Sequence, residues 1–131
     1  MQYIILIGDE SLTLDSIRNI KHYDSTSSHD VDIDRYWVNF GEEHVWYDFN
    51  GDDNDKDVLK TVPFKKPKSI TMVYNEKERM RQVLKQDNFL RGIYVDDDAG
   101  NIIPVEEFIE CLDAMAAAGI LDDFPPIRRS L

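Results

Sequence analysis

Residues 31–49 read Val31-Asp32-Ile33-Asp34-Arg35-Tyr36-Trp37-Val38-Asn39-Phe40-Gly41-Glu42-Glu43-His44-Val45-Trp46-Tyr47-Asp48-Phe49, and this stretch decides the fold. Two runs rich in aromatic and β-branched residues flank Gly41-Glu42-Glu43. That pattern predicts a β-hairpin with strands over residues 31–40 and 44–49. Alternation along the first strand puts Tyr36, Val38 and Phe40 on one face and Arg35, Trp37 and Asn39 on the other. Large side chains on both faces leave two readings open. Either the strand is central and packed from both sides, or one face presents aromatics among carboxylates.

Working outward, residues 3–7 form a short apolar run of the kind found in buried strands, broken by Gly8-Asp9-Glu10. Leu14, Ile17 and Ile20 recur on one helical face, and residues 24–29 read as a polar, Ser-rich loop. Downstream, Asn50 to Asp55 is a polar loop, followed by a helical turn around Val58, Leu59 and Val62. Residues 69–74 read as a strand. Asn75 then offers an N-cap with Glu78 three residues on, ahead of a stripe of Met80, Val83 and Leu84. Residues 92–95 are another strand, and Ile102-Ile103 a short one ending at Pro104. Val105, Phe108, Ile109, Leu112 and Met115 predict the clearest amphipathic helix, over residues 105–118, with Gly119 as its C-terminal cap. The expected fold is a single α/β domain over residues 1–131, with α+β as the alternative. It has a mixed sheet of about five strands, three to four packed helices and an irregular tail over residues 120–131.

The chain of 131 residues carries a formal net charge of −11, with 42% hydrophobic and 31% charged residues. That composition supports a core and argues against disorder. Binding to nucleic-acid phosphates or to an anionic membrane surface is disfavoured, because both need Lys and Arg. The charge is blocky. Residues 24–57 hold eleven acids against two bases, residues 60–91 nine bases against three acids, and residues 96–131 nine acids against two bases. The single cysteine, Cys111, excludes an intrachain disulfide framework and any multi-cysteine metal site. With no basic n-region before the apolar start and no run of roughly 20 apolar residues, neither a secretory signal nor a membrane span is expected. The cytoplasm is the expected compartment.

No motif completes a catalytic or metal site. Asp96-Asp97-Asp98-Ala99-Gly100-Asn101 imitates the start of an EF-hand loop, but Asn101 stands where glycine is required and Pro104 interrupts it. A hairpin turn explains these residues better. The Asp48 to Asp57 loop likewise has Asp53 at the glycine position. His22, His29 and His44 lack metal-triad spacing and read as surface histidines. Gly8 stands alone, without a phosphate-binding loop, and no nucleophile elbow is present. Cys111 lies beside the apolar stripe of its helix and reads as half-buried. The expectation is no cofactor, no metal and no catalytic residue.

What remains is an acidic, aromatic hairpin, better suited to binding a protein than to catalysis. In size, acidity and α/β character the chain resembles the small immunity proteins of bacterial polymorphic toxin systems. The resemblance covers overall character and carries over no individual residue. It implies an inhibitor that steers onto a basic, nuclease-like partner and blocks it. The residues expected to meet that partner are Asp32, Asp34, Tyr36, Trp37, Glu42, Glu43, Trp46, Asp48, Asp52, Asp53 and Asp55. Two rivals remain: a small metal-dependent enzyme using Asp30, Asp32 and Asp48 with His29 or His44, and a regulatory subunit using the same surface.

Overall fold

The computed structural model describes residues 2–122. Seven strands and four helices follow in the order β1 (Gln2–Gly8), α1 (Leu14–Arg18), β2 (Ser27–Asp32), β3 (Arg35–Phe40), β4 (Glu43–Gly51), α2 (Lys56–Thr61), β5 (Lys68–Tyr74), α3 (Lys77–Lys85), β6 (Tyr94–Asp96), β7 (Ile102–Pro104) and α4 (Val105–Ala117). The strands form one open sheet in the order β2-β3-β4-β5-β1-β6-β7. Every neighbouring pair is antiparallel. The architecture is therefore α+β, with a seven-stranded antiparallel sheet in place of the expected mixed sheet of about five. Among the described residues no helix is long and apolar enough to cross a membrane.

The difference in strand count has a local cause. The expected strand over residues 31–40 is split by a turn at Ile33 and Asp34, and the expected loop over residues 24–29 runs into β2. All six residues of β2 are exposed, so it carries no hydrophobic alternation to reveal it. The hairpin between β3 and β4 turns on two residues, Gly41 and Glu42. Gly41 has φ +81°, a left-handed conformation that an L side chain rarely adopts. Asn75 does not cap α3, whose N-cap is Glu76. Its amide instead accepts from the His44 N–H at 2.8 Å and donates to the Glu42 carbonyl at 3.1 Å, fastening the hairpin turn to the end of β5.

One face of the sheet makes the main core. Ile4, Leu6, Val38, Tyr47, Ile70 and Met72 meet Leu14 and Ile17 of α1, Met80 and Leu84 of α3, and Phe108 and Leu112 of α4. The stripe of α4 is buried at Val105, Phe108, Leu112 and Met115, as its spacing predicts, and Ile109 packs at the margin. Burial of this kind contributes about 1.5–3 kcal/mol per large side chain. The helix ends at Ala117, with Ala118 as its C-cap. Gly119, at φ +73°, donates to the Ala116 carbonyl and Ile120 to that of Met115, which is the Schellman arrangement. On the opposite face, Val58 of α2 and Val62 cover Ile7, with Ile5, Phe64, Tyr94 and Ile102 packed around them. That cluster lies over β1, β6 and β7, and Ser69 of β5, opposite Ile7, is buried beside it. The tail expected over residues 120–131 lies mostly outside the described residues.

Candidate functional site

The half of this opposite face formed by β3, β4 and β5 carries no helix among the described residues. Register fixes what it displays. Arg35 pairs across with Asp48, Trp37 with Trp46 and Asn39 with His44. Trp46 in turn lies beside Val73 of β5, and Asp48 beside Thr71. The indoles of Trp37 and Trp46 stack with ring centroids 4.5 Å apart and planes 6° from parallel. Both rings are half-buried, each shielding one side of the other. Such a pair contributes about 0.5–1.5 kcal/mol beyond the area it buries.

Polar groups fix the stack at both ends. The Arg35 guanidinium donates to both Asp48 oxygens, at 2.5 and 3.0 Å, and sits 5.7 Å from the Trp46 ring centroid. At the other end the Asn39 side-chain oxygen accepts from Trp37 Nε1 at 2.7 Å and from His44 Nδ1 at 2.9 Å. Because an amide oxygen can only accept, His44 carries a hydrogen on Nδ1. Asn39 Nδ2 donates to the Ser27 hydroxyl at 3.0 Å. Trp46 Nε1 is buried without an acceptor among the described residues. The centre of the face is thus aromatic, with its one carboxylate neutralised in place.

The eleven residues expected to meet a partner divide into groups. Trp37, Trp46 and Asp48 share the open face. Tyr36 points the other way and packs against the core. Asp32, at the end of β2, and Asp34, in the β2–β3 turn, are exposed, and Asp32 Oδ1 accepts from the Asp34 N–H at 2.8 Å. The Asp34 carbonyl accepts from the Phe49 N–H, so this turn adjoins the end of β4 that leads to exposed Asp52 and Asp53. Glu42 is exposed at the opposite end of the hairpin. Asp52, though exposed, lies 4.0 Å from Lys68 Nζ, and three further acids are held more closely. Glu43 lies 2.6 Å from Arg79, whose guanidinium covers the Phe40 ring. Asp48 is held by Arg35, and Asp55 caps α2 by accepting from the Val58 N–H.

Arg35, Asn39, His44 and Val73 belong to the face but were not among the expected contacts. The shared parity of Arg35, Trp37 and Asn39 was visible in the sequence. The cross-strand partner of each needed the two-residue turn. His22, expected at the surface, is buried. The Ile20 carbonyl accepts from Nδ1, so Nε2 accepts from the Tyr47 hydroxyl at 2.7 Å. Burial pushes the His22 pKa below its ordinary value. The carboxylates of the metal-enzyme rival are not gathered. Asp30 lies 2.7 Å from Arg18 and Asp48 is paired with Arg35. Among the described residues no group of three His, Cys, Asp or Glu side chains is placed to hold a metal ion.

Comparison with protein-family models, with curated proteins and with solved structures returns no match.

Proposed function

We propose that this chain is a non-catalytic protein-binding module, an immunity-type inhibitor that neutralises a basic, nuclease-like partner. The observation that carries the reading is the sheet face that no helix covers among the described residues, where the Trp37–Trp46 stack lies between exposed acids at the two ends of the hairpin. An aromatic centre with charge at the rim is the anatomy of a specific interface. Loss of water from the indoles holds a partner, while Asp32, Asp34, Glu42, Asp52 and Asp53 attract it. The net charge of −11 strengthens that attraction at a distance. The metal-enzyme reading has less support, because two of its three carboxylates are engaged by guanidinium groups.

The test uses the protein encoded by the neighbouring gene, if that protein is basic, or otherwise a panel of basic bacterial nucleases. Surface plasmon resonance at two salt concentrations should show association that slows as salt rises, and the bound nuclease should lose activity. Salt-independent association, or binding without inhibition, would sink the reading.

A further inference from the structure

The two edges of the sheet differ. One edge, β7, is three residues long, ends on Pro104 and leads straight into α4, which packs on it. Proline and a covering helix are usual ways to block an edge. The other edge, β2, is six residues of Ser27-Ser28-His29-Asp30-Val31-Asp32, free of proline, glycine and lysine and exposed throughout. Its only irregularity is a register shift between Asp30 and Asp32. Two of the most exposed large apolar side chains flank its end, Val31 at 51% and Ile33 at 85%. On the helix side a cleft of about 320 Å³, lined in part by Arg18, Ser28 and Tyr36, runs beside the strand. On the other side His29 pairs with Trp37 of the stack.

We propose that β2 is a docking edge for an extended segment of a basic partner protein, which adds to the sheet as a further antiparallel or parallel strand. An unpaired edge supplies a row of backbone donors and acceptors, and alternate side chains of an added strand fall on the two faces. One set would meet the cleft and the other the rim of the tryptophan stack. Charge selects the occupant. Arg18 engages Asp30 from the cleft side, but exposed Asp32 and Asp34 at the end of β2 have no ion-pair partner among the described residues, so Lys or Arg on the added strand is complementary there. A second copy of this chain is disfavoured, because twofold antiparallel pairing would bring Asp30 and Asp32 near their own counterparts. The inference rests on the proposed function only for the charge of the partner. The docking mode is independent of the tryptophan face.

The test titrates the full isotope-labelled chain with a capped nine-residue peptide of alternating lysine and threonine, followed by backbone amide resonances and hydrogen exchange. The expected result is shifts and slowed exchange concentrated in Ser27–Asp32. The same peptide methylated on alternate backbone nitrogens should bind at least about tenfold more weakly, since several hydrogen bonds are lost with charge unchanged. A chain carrying Asp32→Asn and Asp34→Asn should also bind several-fold more weakly. Equal binding of the methylated peptide, or no binding at millimolar peptide, would overturn the proposal. So would sedimentation of the free chain as a dimer whose β2 amides are protected. Shifts confined to Trp37 and Trp46 would overturn the edge while leaving the proposed function standing. Edge binding by the peptide, with a basic partner protein indifferent to Trp37→Ala, would do the reverse.

Discussion

Trp37 and Trp46 face each other across β3 and β4 with their rings 4.5 Å apart and nearly parallel, and no helix covers them among the described residues. Replacing Trp37 with Ala removes half of this stack without touching the main core. Thermal stability should fall by about 2–3 kcal/mol, from the aromatic pair together with the apolar area a half-buried indole removes from water. The complex should lose about 2 kcal/mol or more, seen mainly as a faster off-rate in surface plasmon resonance. Unchanged dissociation would move the interface elsewhere.

The adjacent acids Glu42 and Glu43 should behave differently. Glu42 is exposed, so Glu42→Lys should slow association at low salt and leave the melting temperature unchanged. Glu43 holds Arg79 over the Phe40 ring, so Glu43→Lys should destabilise by about 1 kcal/mol and lower the melting temperature by a few degrees. Calorimetric melts of the two variants separate these effects.

His22 gives the fold an acid-sensitive point. Burial lowers its pKa, so the unfolded chain binds a proton more readily than the folded one. The stability linked to His22 is whole above the unfolded value of about 6.5 and declines as pH falls below it. Chemical denaturation at pH 7.5 and pH 5.5 should show the decline, and His22→Gln should flatten it whatever that variant's baseline stability.

Asp96 should act in the opposite sense. Burial, together with the charges of Asp55, Asp98 and Asp97, raises its pKa. The folded form therefore binds the proton more readily, and the cost of the buried charge is greatest at neutral pH. It disappears as pH falls through the raised value toward the unfolded one. Asp96→Asn keeps an oxygen able to accept from the Asp98 N–H. It should raise the melting temperature at pH 7, with the gain shrinking on acidification. Equal melting temperatures at pH 7 would contradict this account.

The sequence revealed elements that bury an apolar pattern. The hairpin faces followed from the alternation of Tyr36, Val38 and Phe40, and α4 from its stripe, because burial forces a period on those residues. β2 left no such trace, since an edge strand is held by backbone hydrogen bonds that any polar residue permits. Asn75 misled for a related reason: its side chain has the chemistry of an N-cap, and only the nearness of the hairpin turn gives it other partners. The acids of the site were legible as a group but not individually. Whether a carboxylate is exposed, as Glu42 is, or held, as Asp48 is, depends on arginines brought close by the folded chain.

The position of β1 bears on how the molecule assembles. It is made before both of its neighbours, with Ile4 opposite Met72 on one side and Leu6 opposite Val95 on the other. The sheet therefore cannot close around β1 until the chain has been synthesised to β6. Before β5 is made β1 is a hydrophobic segment with two open edges, and until β6 follows it keeps one of them, exposed to pairing with other chains. Because loop closure over such separations precedes the reward of the contacts, folding should be slow for a chain of this size. Refolding yield should consequently fall as protein concentration rises, a dependence set by the place of one strand in the sheet.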